Sequence, residues 1–109
     1  MKKGYVKNIE SQTLGNENFR KVLYTGNQIQ LVTMTIQPGD DIGEEVHDGT
    51  DQFFRFESGS GEVWIDGVCN KVESDFGVIV PQGAKHNVIN TGSTPLKLYT
   101  IYGPPEHLD

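Results

Sequence analysis

Turn signals cut this chain into short β-prone runs, and that punctuation constrains the fold more than any other feature. Tyr24-Thr25-Gly26-Asn27, Pro38-Gly39, Gly59-Ser60-Gly61, Asp66-Gly67, Thr91 to Pro95 and Gly103-Pro104-Pro105 are the breaks. Between them lie Gln30 to Ile36, Phe53 to Phe56, Glu62 to Ile65, Val78 to Val80, His86 to Asn90 and Leu96 to Tyr102. Asp66-Gly67 is the strongest hairpin signal, because a type I′ turn needs positive φ at both central residues. No stretch carries sustained helical periodicity; Ser11 to Arg20 has room for one helical turn at most. Many short strands separated by turns predict an all-β sandwich or barrel.

A chain of 109 residues suits one domain with its own core, and the expectation is a single domain over residues 1–109. The lone Cys69 excludes an internal disulfide and reads as a small strand residue. No leader and no apolar run of bilayer length is apparent, so the expected location is cytoplasmic, with no membrane partner. A net charge of −6 argues against nucleic acid, which needs a basic patch. Asp40, Asp41, Glu44, Glu45, Asp48 and Asp51 crowd one region, and most of them read as a solvated loop.

Chemistry concentrates in two places. Of the three histidines, His47 lies in the stretch Gly39 to Gly59 and His86 in Pro81-Gln82-Gly83-Ala84-Lys85-His86. His107, in Pro104-Pro105-Glu106-His107, reads as a tail residue that either stays outside or folds over a barrel mouth. Neutral imidazole is a common metal ligand, and two histidines with a carboxylate suit a divalent first-row metal. No nucleophile elbow, phosphate loop or dinucleotide fingerprint competes.

These two stretches resemble the paired motifs of the cupin superfamily. The first cupin motif reads Gly, five residues, His-x-His, three or four residues, Glu, six residues, Gly. Gly39, Glu45-Val46-His47, Gln52 and Gly59 occupy those positions. The second motif closes with Pro-x-Gly, two residues, His, three residues, Asn, matched by Pro81, Gly83, His86 and Asn90. The runs around these positions, with the ending Leu-Tyr-Thr-Ile-Tyr-Gly-Pro-Pro-Glu-His, are similar to small bacterial cupins labelled mannose-6-phosphate-isomerase-like. The resemblance implies a double-stranded β-helix, or jelly-roll barrel. It also implies a homodimer, since small cupins commonly pair and Phe53 falls on an outer strand face.

Two departures alter the implied ligand set. Glu45 stands where the first motif histidine belongs, and Gln52 where its glutamate belongs. Side chains two apart on a strand share a face, so Glu45 points with His47, and an inward Gln52 carries Phe54 and Phe56 inward. Glu45, His47 and His86 then make a 2-His-1-carboxylate triad. Gln52 either adds a weak neutral ligand or holds a water. Asp51 competes for that place, but its choice would turn Phe54 and Phe56 outward. Met34, Phe54, Phe56, Trp64, Val78, Val80, Tyr99 and Tyr102 are wall or core candidates, and Lys85 reads as a solvated rim residue.

The implied cofactor is a divalent ion (Fe, Mn, Zn or Ni). The implied function is a metal-dependent isomerase or oxygenase acting on a small polar, sugar-like or oxo-acid substrate. The other reading is a non-catalytic module that senses a small ligand in the same bowl.

Overall fold

The computed structural model describes residues 2–107. A short helix α1 (Ile9–Leu14) precedes β1 (Arg20–Thr25), β2 (Gln30–Ile36), β3 (Asp51–Ser58) and β4 (Ser60–Ile65). Then come β5 (Val68–Glu73), β6 (Gly77–Val80), β7 (His86–Ile89) and β8 (Leu96–Gly103). The strands pair antiparallel in two sheets, of order β1-β2-β8-β3-β6 and β5-β4-β7. This is a double-stranded β-helix.

Alternation decides which face of each strand turns inward. In β3, Gln52, Phe54 and Phe56 are buried while Asp51, Phe53 and Arg55 are not; in β8, Leu96, Leu98, Thr100 and Tyr102 are buried. With Val32, Met34 and Ile36 of β2 and Val63 and Val88 of the smaller sheet, these residues form the core between the sheets. Removing such side chains from water is the main favourable term in folding. Asp66 and Gly67 both adopt positive φ (46° and 81°), so the hairpin between β4 and β5 is the one their sequence demands.

The segment from Gly39 to His47 is irregular, yet it docks along β7. Gly39 N–H donates to Asn90 O, Ile42 N–H to Val88 O and Asn90 N–H to Asp40 O. Isolated bridges pair Asp41 with Ile89 and Glu45 with His86. Four residue steps on this segment therefore match three on β7, and Gly43, at φ 85°, lies within the extra length.

The helix spans six residues, beginning two positions before the expected window. Asn8 caps it by accepting from Ser11 N–H at 2.9 Å. Behind it, the Thr35 hydroxyl donates to Asn16 O at 2.7 Å, and Lys97 Nζ donates to Leu14 O and Asn16 O. Thr35 is consequently buried on what alternation alone would leave as the outer face of β2, and Thr33, on the same face, is buried with its hydroxyl donating to Leu98 O.

Asn90 joins three pieces of chain from a site 1 % exposed. Its Nδ2 donates to Ile36 O and Thr94 O, each at 2.8 Å, and its Oδ1 accepts from Gly92 N–H at 2.9 Å. Asn90→Ala should cost about 1–3 kcal/mol, because it strands one buried and two part-buried backbone groups. Urea unfolding measures this, and a loss below about 0.5 kcal/mol would show that these bonds are replaceable.

Candidate metal centre

Glu45 and His86 face each other as a reciprocal backbone pair: Glu45 N–H donates to His86 O at 2.8 Å and His86 N–H to Glu45 O at 2.9 Å. Two residues on, His47 O accepts from Gly83 N–H at 2.9 Å, so the Pro81-x-Gly83 turn is tied to the same segment. Gly83 adopts φ 86°, a conformation that glycine enters without the Cβ penalty. These bonds gather one ligand-capable atom from each of Glu45, His47 and His86 within 4.8 Å of one another. The imidazole centroids of His47 and His86 lie 5.3 Å apart, and Glu45 Oε1 is 3.8 Å from His47 Nε2.

Both rings are oriented from behind. His47 Nδ1 lies 2.6 Å from Glu106 Oε1, and His86 Nδ1 lies 3.2 Å from Ala84 O. A carboxylate and a carbonyl can only accept, so each Nδ1 carries a proton, and in the neutral ring that leaves the lone pair on Nε2. Those two Nε2 atoms are buried and have no hydrogen-bond partner among the described residues. Buried polar atoms are normally satisfied, and imidazoles that bind metals normally present one nitrogen while the other is held by an acceptor. The donor set therefore fits a divalent ion.

Gln52 is 2 % exposed; its Nε2 donates to Thr100 Oγ1 at 3.0 Å, and its Oε1 is buried without a partner. The Tyr102 ring stands edge-on to His47, centroids 5.8 Å apart, and Phe54 packs edge-on to His86 at 6.1 Å. Burial raises the Tyr102 hydroxyl to about 12, which keeps it protonated at neutral pH. Asp51 instead points outward and accepts from Gln82 N–H at 2.8 Å, as its register requires.

The structure also places residues that sequence reasoning left unassigned. The tail folds back over the mouth of the barrel. Glu106 reaches His47, Thr50 Oγ1 lies 3.2 Å from Glu106 Oε2, and His107 Nε2 lies 3.0 Å from the Tyr102 hydroxyl. The only sequence signal for this was an acid-histidine pair soon after the last strand. Trp64 and Tyr99 are not walls of the bowl. Trp64 is 39 % exposed and donates to Glu62, while Tyr99 alternates outward beside Phe53. Apolar character had suggested the interior; strand parity decided otherwise. Lys85 is solvated and paired with Glu44 at 3.3 Å.

Burial pushes both His86 and His107 below the ordinary 6.5. In the unfolded chain both take up protons more readily. Below about pH 6.5 the unfolded state thus binds more protons, and stability falls as pH drops; above it the contribution is fully present. Thermal melts of metal-free protein should show the melting temperature declining between about pH 6.5 and 5 and flat from about pH 7 to 8. A flat profile across the whole range would contradict this linkage.

The protein family described as "Cupin domain" matches residues 32–102, which hold all four site positions. YrkC of Bacillus subtilis is 45% identical over 96% of this chain, and a protein of Acanthamoeba polyphaga mimivirus is 36% identical over 94%. The chain spans 60% and 67% of the lengths of those two relatives. A crystal structure of a Bacillus halodurans protein superposes with a TM-score of 0.95 at 44% identity, covering 97% of this chain and 85% of that one. The chain belongs to the cupin family.

Proposed function

We propose that the protein holds one divalent metal ion through a Glu45 carboxylate oxygen, His47 Nε2 and His86 Nε2, with Gln52 Oε1 as a neutral fourth donor. The observation that carries this reading is the pair of buried, unpartnered Nε2 atoms beside a carboxylate, each ring held through its Nδ1. Fe, Mn, Zn and Ni all accept such a set. The carboxylate sits at Glu45 rather than at position 52, so the donor set keeps one negative charge.

The activity we propose is that of a metal-dependent enzyme, isomerase- or oxygenase-type, on a small oxo-acid or sugar-like substrate. A bound ion supplies Lewis-acid polarisation of a carbonyl or enediol, and a redox-active ion extends this to oxygen chemistry. The chain's own residues do the rest. The Tyr102 ring, edge-on to His47, and Phe54, edge-on to His86, wall the site and exclude water beside the two imidazoles.

Elemental analysis of untagged protein should find about one divalent ion per chain. His47→Ala and His86→Ala should each abolish stoichiometric binding, and Glu45→Ala should lower occupancy more than Asp51→Ala. Full occupancy in either histidine variant would overturn the site. A screen of oxo acids and sugar phosphates then tests turnover; binding without turnover would make the protein a sensing module.

We also propose that a second copy covers the outer face of the larger sheet, where Ile79 is 68 % exposed beside Phe53, Tyr99 and Ile101. Light scattering should report a dimer for the wild type and a monomer for Ile79→Lys. A monomeric wild type at high micromolar concentration would refute it.

A further inference from the structure

The tail is fastened by more than its contact with His47. Gln30, 0 % exposed at the start of β2, accepts from Glu106 N–H at 3.1 Å and from His107 N–H at 2.8 Å through Oε1. Its Nε2 donates to His107 O at 2.5 Å and to Thr25 Oγ1 at 3.0 Å. The Thr50 hydroxyl is shared between Pro104 O at 3.3 Å and Glu106 Oε2 at 3.2 Å. The His107 ring packs edge-on against Tyr102, centroids 4.9 Å apart. One buried amide thus uses both its ends to hold two consecutive residues of a segment that has no strand partner of its own.

We infer that residues 104–107 are a positioning strap for the metal site, in which Glu106 fixes the ring and tautomer of His47 and Gln30 fixes Glu106. The inference rests on the metal-binding reading of Glu45, His47 and His86. Its physical content is a chain of three links. Gln30 sets the strap backbone; the strap aims Glu106 Oε1 at His47 Nδ1; that bond leaves the His47 Nε2 lone pair facing Glu45 and His86. By reciprocity, a ligand that needs this tautomer also strengthens the docking of the strap. Gln30 is not itself in the donor set, so an effect of Gln30 on metal affinity is a consequence that a bare list of ligands does not contain.

The alternative is a passive surface bridge, which contributes little to anything. The two differ in what the metal senses. Zinc(II) affinity is measured by competition with a chromophoric chelator for the wild type, Glu106→Gln, Glu106→Ala, Gln30→Ala and the Gln30→Ala/Glu106→Ala double variant, each checked for wild-type circular dichroism. Glu106→Ala should weaken zinc about 10–100-fold and Glu106→Gln less, since its amide oxygen can still accept. Gln30→Ala should weaken zinc in the same direction. The double variant should be little worse than the poorer single one, because both break the same link.

A second readout needs no metal. In ¹⁵N spectra of the metal-free protein, His47 should be the Nδ1–H tautomer in the wild type and a mixture in Glu106→Ala. Wild-type zinc affinity and an unchanged tautomer in Glu106→Gln and Glu106→Ala, which lie in the tail and spare the core, would overturn the strap. A wild-type protein that binds no zinc, yet shows the tautomer shift in Glu106→Ala, would instead overturn the metal reading and leave the positioning of His47 standing.

Discussion

The pair of backbone hydrogen bonds between Glu45 and His86 is the constraint on which the site depends. Opposed residues of an antiparallel pair project their side chains to the same side. Once these two peptides are joined, the carboxylate and the imidazole must share a face. Position 47, two residues along, returns to that face and adds its ring. A one-residue slip in this pairing would turn Val46 inward and Glu45 and His47 outward. The extra length around Gly43 lets the segment follow β7 from Asp41 and still meet His86 in the productive register.

Around that pair the protein accepts a local cost. Two imidazole nitrogens and one amide oxygen lie buried without partners, while the buried side chains of Thr100 and Asn90 are satisfied. Leaving such atoms bare costs on the order of 1–3 kcal/mol each, which is a large share of the stability of a domain this size. Unpartnered buried atoms also occur at Tyr5, Arg20, Arg55 and Asn87; what sets the two imidazole nitrogens apart is that their rings converge with the Glu45 carboxylate.

Much of the fold was legible because β-strands have a strict period. Placing Gln52 inward forced Phe54 and Phe56 inward and Asp51 outward, and the burial along β3 follows that order. The hairpin at Asp66-Gly67 and the strand Gln30 to Ile36 followed from equally local chemistry. The four proposed metal-site positions were readable through their spacing, because motif residues lie close together in sequence. What failed was placing residues by apolar character without their strand parity, and whatever depended on distant chain. Trp64 and Tyr99 are apolar, and composition could not say which face they occupy. Burial of Thr35 required the segment after α1 to dock against β2. Glu106 gives no sign of its role until β8 has carried it back beside His47.

That return has a consequence for how the molecule is made. β8 lies between β2 and β3 in the larger sheet, so both of those strands wait with an open edge until it arrives. His47 leaves the ribosome 59 residues ahead of Glu106, and Gln30 leaves 77 ahead of His107. A nascent chain therefore displays His47 long before Glu106 can hold its ring, whereas Ala84, the acceptor behind His86, is made two residues ahead of it. The aim of the His47 ring is thus among the last things synthesis supplies.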